Sequence, residues 1–370
     1  MSGFQVKGWC PGALRPMRSG DGLVLRIRAH CGRLTPAQAM GIADLSQTSG
    51  NGLMDLTSRA NLQLRGLDEA GHAAALERLD AMGLLDPDAR TEARRNVILS
   101  PLAPMGSPAW QIAEAISAGL AGPDAPEVPT KFGFAVDALP LSLGGVPADI
   151  RLIPSETGWV VAPDGADWAL PTDDPAALAL DLARDFIARG GVTAGRGRMR
   201  DRLPPMPEGA VARPETGQPP AIGPVPGGWL LGFAFGQITP DQLRAAAAHG
   251  PLRLTPWRAL LIEGLALPPR VPGAILVPDD PLLRIHACTG APACPQGLAD
   301  VRALARRLAP GLRPGQSLHV SGCAKGCAHR GRADVTLVAR SPDTFDMIRD
   351  GTIRDAALGP PLRTADIPPL

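Results

Sequence analysis

Gly32-Arg-Leu-Thr-Pro-Ala-Gln38 and Gly236-Gln-Ile-Thr-Pro-Asp-Gln242 decide the fold, because the second repeats the first some two hundred residues later. Each follows an apolar run, Gly22-Leu-Val-Leu-Arg-Ile27 in one case and Trp229-Leu-Leu-Gly-Phe-Ala-Phe235 in the other. Thr-Pro opens a helix: threonine offers an oxygen to the first free amides, and proline suits the first helical position, where no N–H is needed. A further apolar run closes each unit. In the first it spans Gly52 to Leu64, with Leu56-Thr57 ahead of Arg59; in the second it spans Leu252 to Ile262, with Leu254-Thr255 ahead of Arg258. The pattern reads as a β-α-β unit used twice, and two such halves can pair about a pseudo-twofold axis.

Larger segments separate the halves. Asp68 to Leu85 has the apolar spacing of a helix, Asn96 to Leu99 and Phe132 to Val136 read as short strands, and Asp174 to Arg189 is an amphipathic helix. Leu203 to Gly228 is dense in proline and glycine, which marks a linker. Beyond the second half come a helix from about Leu298, a strand at Ser317 to Val320 and another at Asp334 to Ala339. The expected fold class is α+β, with half-unit and larger unit alternating twice: 1–72, 73–202, a linker 203–226, 227–270 and 271–370.

The last two strands bracket a cysteine clip. Cys288, Cys294, Cys323 and Cys327 form two clips, Cys-x5-Cys and Cys-x3-Cys, separated by 28 residues. Thiolates grouped this way hold soft metals, and four suffice for one cubane 4Fe–4S cluster. The residues around them are mostly Gly, Ala and Pro, which let the backbone approach a cluster and aim amide N–H groups at its sulfurs. Structural zinc uses tighter clips. A disulfide is disfavoured, since nothing at the N-terminus looks like a signal peptide and cytosolic thiols stay reduced. Cys10 and Cys31 read as small buried side chains.

The 370 residues carry a formal net charge of +1 with no run of like charges, so a nucleic-acid or membrane-surface role has no electrostatic support. No apolar stretch approaches the roughly eighteen residues that span a bilayer. The expected location is the cytoplasm. Of 37 basic residues only three are lysine: Lys7, Lys131 and Lys325. An ammonium is compact and its proton transferable, so a lysine kept in an arginine-rich chain is a candidate for proton chemistry. Lys325 lies inside the second clip.

Together these features resemble the sulfite and nitrite reductase superfamily. The resemblance runs nearly end to end and rests on motifs in the expected order. Leu56-Thr57-Ser58-Arg59-Ala60-Asn61 resembles the family's Thr-x-Arg strand, Arg95-Asn96-Val97 its Arg-Asn-Val segment, and Pro129-Thr130-Lys131-Phe132 its Pro-Arg-Lys-Phe segment. Gly322-Cys323 and Cys327 fall in its last clip, and Asp334 begins the strand after it. The resemblance implies two ferredoxin-like half-domains alternating with two larger α+β domains. It also implies a 4Fe–4S cluster on Cys288, Cys294, Cys323 and Cys327 beside a tetrapyrrole pocket. Uroporphyrinoids carry many acetates and propionates, and a guanidinium grips a carboxylate through two parallel charge-assisted bonds. Arg59, Arg95 and Lys131, each at or beside an apolar strand, are therefore the candidate substrate-binding residues. Arg196, Arg198, Arg200 and Arg202 form a second basic strip that suits a solvated face equally well.

The chain also departs from the reductases. They carry a second lysine where this chain has Gly133, and Pro and Asn in the last clip where it has Ala324 and Lys325. The anion-reducing groups are incomplete. Cys10-Pro11-Gly12, Pro16-Met17, Gly20-Asp21-Gly22-Leu23 and Ser321-Gly-Cys-Ala-Lys-Gly-Cys-Ala328 resemble instead the precorrin-3B synthase branch of aerobic cobalamin biosynthesis. That resemblance implies precorrin-3A as substrate, O2-dependent hydroxylation at C20 with lactone formation from the ring A acetate, and a mononuclear non-haem iron outside the cluster. Lys325 is the candidate catalytic proton donor. The six histidines show no two-His-one-carboxylate pattern, although His286 and His329 flank the clips. Arg200 stands where Gly195-Arg-Gly197 would need a third glycine to bind a dinucleotide, so a separate NAD(P)H-dependent donor must supply electrons. One rival reading is a compact siroheme-dependent sulfite or nitrite reductase, which Gly133 and Lys325 argue against. Another is a non-catalytic electron carrier, which would need no paired half-domains.

Overall fold

A computed structural model describes residues 10–368 and residue 370. The repeated motif folds as its residues require. Thr35 Oγ1 accepts from Gln38 N at 3.2 Å while Gln38 Oε1 accepts from Thr35 N at 2.9 Å, capping helix Pro36–Thr48. Thr239 and Gln242 build the same reciprocal cap on helix Pro240–Ala247, at 3.3 and 3.0 Å. Asp68 and Asp174 likewise cap helices Glu69–Ala81 and Pro175–Ala188.

The run after each repeated helix differs from the single strand expected. Gly52 to Leu64 contains Met54–Leu56 and the start of Leu62–Leu67, an antiparallel pair; Leu252 to Ile262 contains Leu252–Leu254 and most of Ala259–Glu263. The reason is a threonine. Thr57 Oγ1 accepts from Arg59 N and Asn61 N at 3.3 and 3.2 Å, and Thr255 Oγ1 accepts from Trp257 N and Ala259 N at the same distances. A side-chain oxygen thus takes amides that a straight strand would spend on its neighbour, and the chain reverses. Ala60 (φ 52°) and Arg258 (φ 58°) complete the reversals in the left-handed region. Each unit is β-α-β-β, and Arg258 stands where the first unit has Ala60.

The two units exchange edge strands. One sheet runs Met17–Ser19, Gly22–Ile27, Leu62–Leu67 and Met54–Leu56, then ends on Gln237–Ile238 of the second unit. Its counterpart runs Gly223–Val225, Gly228–Gly232, Ala259–Glu263 and Leu252–Leu254, then ends on Arg33–Leu34 of the first. One core serves both: Ile27, Leu34, Ile42 and Leu62 pack with Ile238, Leu243, Leu252 and Ile262, all fully buried. At roughly 1.5–3 kcal/mol for each such side chain, this shared core holds the units together more firmly than the few exchanged hydrogen bonds.

The two remaining sheets also share a topology. Val97–Leu99, Phe134–Val136 and Ile150–Ser155 run parallel, and Gly158–Pro163, Trp168–Thr172 and Val211–Ala212 continue antiparallel. Ile285–Ala287, Leu318–Ser321 and Ala333–Ala339 run parallel, and Thr344–Gly351 and Leu362–Arg363 continue antiparallel. Helices Pro108–Ala121 and Pro175–Ala188 cover the first, and Val301–Leu308 covers the second. The stretch expected as a linker is stitched at two points, Val211–Ala212 to one sheet and Gly223–Val225 to another. Among the described residues no helix is long and apolar enough to cross a membrane.

Candidate functional site

Parallel pairing brings the two cysteine clips together. Ile285–Ala287 and Leu318–Ser321 are neighbours, with His286 opposite His319 and Ala287 opposite Val320. Their C-terminal ends point the same way, so Cys288 leaves one strand beside Gly322-Cys323 leaving the other. Gly322 N donates to Cys288 Sγ at 3.2 Å, and Leu298 N donates to Gly322 O at 2.8 Å. This approach needs glycine: a Cβ on Gly297 would lie 2.6 Å from the Gly290 backbone carbon and from Ala291 N.

Burial raises the Cys288 thiol above its ordinary value against the pull of the Gly322 and Gly290 amides. It raises Cys327 too, with Lys325 opposing and the other three clip cysteines adding to the rise. Among the described residues no three of these sulfurs converge within 4.8 Å.

A cavity of about 250 Å³ opens on the clips, lined by Cys288, Thr289 and Cys327 together with Arg26, Asp55, Gln63, Arg258 and Arg302, and Arg302 Nη2 donates to Asp55 Oδ1 at 3.4 Å. Arg26 projects from strand Gly22–Ile27, Arg258 from its left-handed turn, and Arg302 from helix Val301–Leu308. Arg59 neighbours Arg26. Arg26 Nε, Arg59 Nη1 and Arg302 Nε are buried without a hydrogen-bond partner. Burial pushes the Arg26, Arg59 and Arg258 guanidiniums below their ordinary range; Cys10 opposes this for Arg26 and Arg59, and Asp55 opposes it for Arg258. Cys10 is half-buried, with its thiol against Arg26. Three guanidiniums and one carboxylate line this cleft, so it carries an excess of positive charge that suits an anionic ligand.

The expected substrate residues do not share one site. Arg59 Nη2 donates to Lys131 O at 3.0 Å, so these two are neighbours. Lys131 lines a second cavity, of about 490 Å³, with Arg196, Arg198 and Arg202. Asp149, wholly buried, ties this region together by accepting from Gly133 N at 3.0 Å, Met199 N at 2.9 Å and Arg198 Nε at 2.9 Å. Arg200 pairs with Asp164 instead. Arg95 grips Asp86 through Nε at 2.7 Å and Nη2 at 2.9 Å, and lies on a separate cavity with His30 and Glu114. Lys325 acts on Cys327, as its place in the clip suggests.

Arg26 and Arg302 went unread in the sequence. An arginine inside the apolar run Leu-Val-Leu-Arg-Ile was the available signal for Arg26. Gly133 has a physical explanation: a Cβ there would sit 2.6 Å from Asn96 Nδ2, which donates to Phe132 O at 2.9 Å. Three histidines lie behind the clips. The rings of His286 and His329 stack at 4.2 Å, and His319 meets His329 edge-on. Burial pushes His286 and His319 down to about 4, and neither ring nitrogen of His319 has a partner.

Residues 15–82 match the nitrite/sulfite reductase ferredoxin-like half-domain family. A precorrin-3B synthase of Sinorhizobium sp. is 29% identical over 399 aligned positions, which span 93% of this chain and 83% of that one. The chain is a homologue of precorrin-3B synthase. A ferredoxin sulfite reductase of Mycolicibacterium paratuberculosis is 27% identical over 121 positions, covering 31% of this chain and 22% of its own. The structure of the Mycobacterium tuberculosis NirA protein superposes with a TM-score of 0.64 at 18% identity, covering 92% of this chain and 77% of that one. The fold is the same mixed α+β arrangement, and the protein is an oxidoreductase related to sulfite reductases.

Proposed function

We propose that this enzyme hydroxylates precorrin-3A at C20, with lactone formation from the ring A acetate, using O2 and electrons from a separate NAD(P)H-dependent donor. One observation carries the reading: Arg26, Arg258 and Arg302 gather at the cleft lined by Cys288 and Cys327. A uroporphyrinoid is a flat macrocycle fringed with carboxylates, and each charge-assisted bond to such a donor contributes about 1.5–3 kcal/mol. The architecture this reading requires is two ferredoxin-like half-domains about a pseudo-twofold axis, alternating with two larger α+β domains. The matching strand orders and exchanged edges support it.

Cys288, Cys294, Cys323 and Cys327 would hold a 4Fe–4S cluster, since the five-residue loop of the first clip is wider than zinc clips use. When bound, the cluster supplies single electrons. Gly322 N stabilises the Cys288 thiolate. Arg26, Arg59, Arg258 and Arg302 orient the substrate, while Lys131 and Arg198 hold carboxylates that reach past Arg59. Lys325 donates a proton. One oxygen atom enters the substrate, and the other leaves as water after taking up two electrons and two protons. Arg95, engaged with Asp86, acts by holding the Arg28 carbonyl at 2.9 Å rather than by touching substrate. A siroheme sulfite reductase is disfavoured, because Gly133 supplies no second lysine and Ala324 and Lys325 replace the last clip's Pro and Asn.

Anaerobic purification with iron, acid-labile sulfide and pigment analysis tests the reading. The expected protein is brown, with four sulfides per chain and no siroheme band, and it binds a uroporphyrinoid in spectral titration. Sulfide-free protein, or tightly held siroheme, would overturn it. Lys325→Met should slow turnover with the cluster absorbance intact, and unchanged turnover would remove Lys325 from the chemistry.

A further inference from the structure

The turn His30-Cys31-Gly32 is the counterpart of Ala234-Phe235-Gly236 in the second unit. Both put their middle residue in the left-handed region (Cys31 φ 49°, Phe235 φ 61°), and both lead into an exchanged edge strand. Phe235 lines the cleft, with Arg302 and Arg306 over its ring at 5.9 and 5.0 Å. Cys31 marks the equivalent place in the other half. There a ring nitrogen of His30, Cys31 Sγ and a carboxylate oxygen of Glu114 lie within 4.8 Å of one another, which no other three such groups do among the described residues. His30 Nε2 and Glu114 Oε1 are 3.2 Å apart.

We propose that His30, Cys31 and Glu114 bind one divalent transition-metal ion, with a fourth position open to the neighbouring cavity. Imidazole, thiolate and carboxylate are the three donor types zinc takes, at about 2.0–2.3 Å, and tetrahedral bonds of that length set donors about 3.3–3.8 Å apart. A hydrogen bond brings His30 to Glu114, and the left-handed turn at Cys31 adds a buried thiol to that pair as a third donor. Without an ion, burial and Glu114 push the Cys31 thiol up to about 12, so an ion binds by displacing its proton, and thiolate and carboxylate together then match a divalent charge. The arginines whose fields reach Cys31 are already compensated, Arg95 by Asp86 at 2.7 Å and Arg253 by Glu263 at 3.5 Å. Trp110, itself under Arg253, meets the His30 ring edge-on and fixes its orientation. His30 and Glu114 are exposed, which gives an ion its entry path, and the cavity beside them measures about 420 Å³. The four clip cysteines take no part, so this site does not depend on the cluster reading.

The test uses the full-length holoprotein equilibrated with Zn2+, or with Co2+ as a spectroscopic probe. Zinc, iron and acid-labile sulfide are measured together in the wild type and in Glu114→Gln, His30→Gln and Cys31→Ser. One zinc per chain is expected in the wild type, bound at least about tenfold more weakly in each variant, with iron and sulfide unchanged. Cobalt should give a thiolate charge-transfer band that Cys31→Ser abolishes. Because Glu114 and His30 are surface positions, their variants keep the test valid if Cys31→Ser misfolds. No zinc in the wild type, equal zinc in wild type and Glu114→Gln, or a cobalt band that survives Cys31→Ser would overturn the site. Absent sulfide with the zinc pattern intact would count against the cluster alone.

Discussion

Arg258→Gln should separate binding from folding. Arg258 lies on the cleft in a left-handed turn, where burial lowers its guanidinium, Asp55 opposes and Arg302 lowers it further. The net direction is downward, so without a ligand the folded molecule disfavours this charge. Glutamine keeps the backbone conformation and most of the reach, and unfolding free energy should therefore change by no more than about 1 kcal/mol. The same substitution removes a charge-assisted bond to a substrate carboxylate, about 1.5–3 kcal/mol, which weakens binding roughly 10- to 100-fold. Arg253→Gln is the contrast. Arg253 is buried and donates to Ala103 O at 3.1 Å and Ser100 O at 3.2 Å, so its loss should cost about 3–5 kcal/mol of stability. Urea denaturation followed by tryptophan fluorescence reads stability, and a visible-band titration with a uroporphyrinoid reads affinity. If Arg258→Gln destabilises the protein yet binds pigment normally, the cleft has been assigned the wrong role.

Other substitutions probe other parts of the argument. Gly133→Lys must shift the Asn96 amide, at about 1–3 kcal/mol, and should gain no sulfite reduction while Ala324 and Lys325 stand in the last clip; a gain in viologen-linked sulfite turnover would favour the siroheme reading. Cys294→Ser should abolish acid-labile sulfide while leaving far-ultraviolet circular dichroism unchanged, because the clip lies outside the half-unit sheets. Asp149→Ala strands Arg198 beside two unpaired amides, and a loss below 1 kcal/mol, against about 3–5 expected, would mean the loop is held otherwise. His319 predicts acid sensitivity. Its ring is pushed from 6.5 to about 4 by burial and by His329. Between those values the unfolded chain takes up a proton that the folded chain refuses, so stability falls as pH drops through the window, by up to about 3 kcal/mol. His319→Leu should reduce that slope, with His286 retaining its own share, and identical slopes in the two proteins would rule the histidine out.

Local chemistry was legible in the sequence wherever one side chain decides one turn. Thr35 with Gln38 and Thr239 with Gln242 announced both repeated helices through their caps. Ser107-Pro108 carries the same signature ahead of helix Pro108–Ala121 and went unread. Thr57 and Thr255 were visible, but an uninterrupted apolar run hides a hydroxyl that reverses the chain. What stayed hidden depends on distant partners. The clip spacing suggested a metal, yet the sulfurs meet only because two strands pair in parallel. Arg95 looked like a ligand contact until Asp86 was seen holding it. Cys31 looked inert because Glu114 is remote in sequence, 84 positions from His30.

The traded edges set how this molecule comes apart. Leu56 and Leu254 lie on strands whose outer hydrogen bonds are filled by Gln237–Ile238 and Arg33–Leu34 from the opposite unit. A chain severed at the proline-rich stretch would yield two fragments, each with a raw margin and half an oily interior, and each prone to stick to copies of itself. Duplication here has left a pair of clasped hands: neither lets go without the other, and both should melt in a single step.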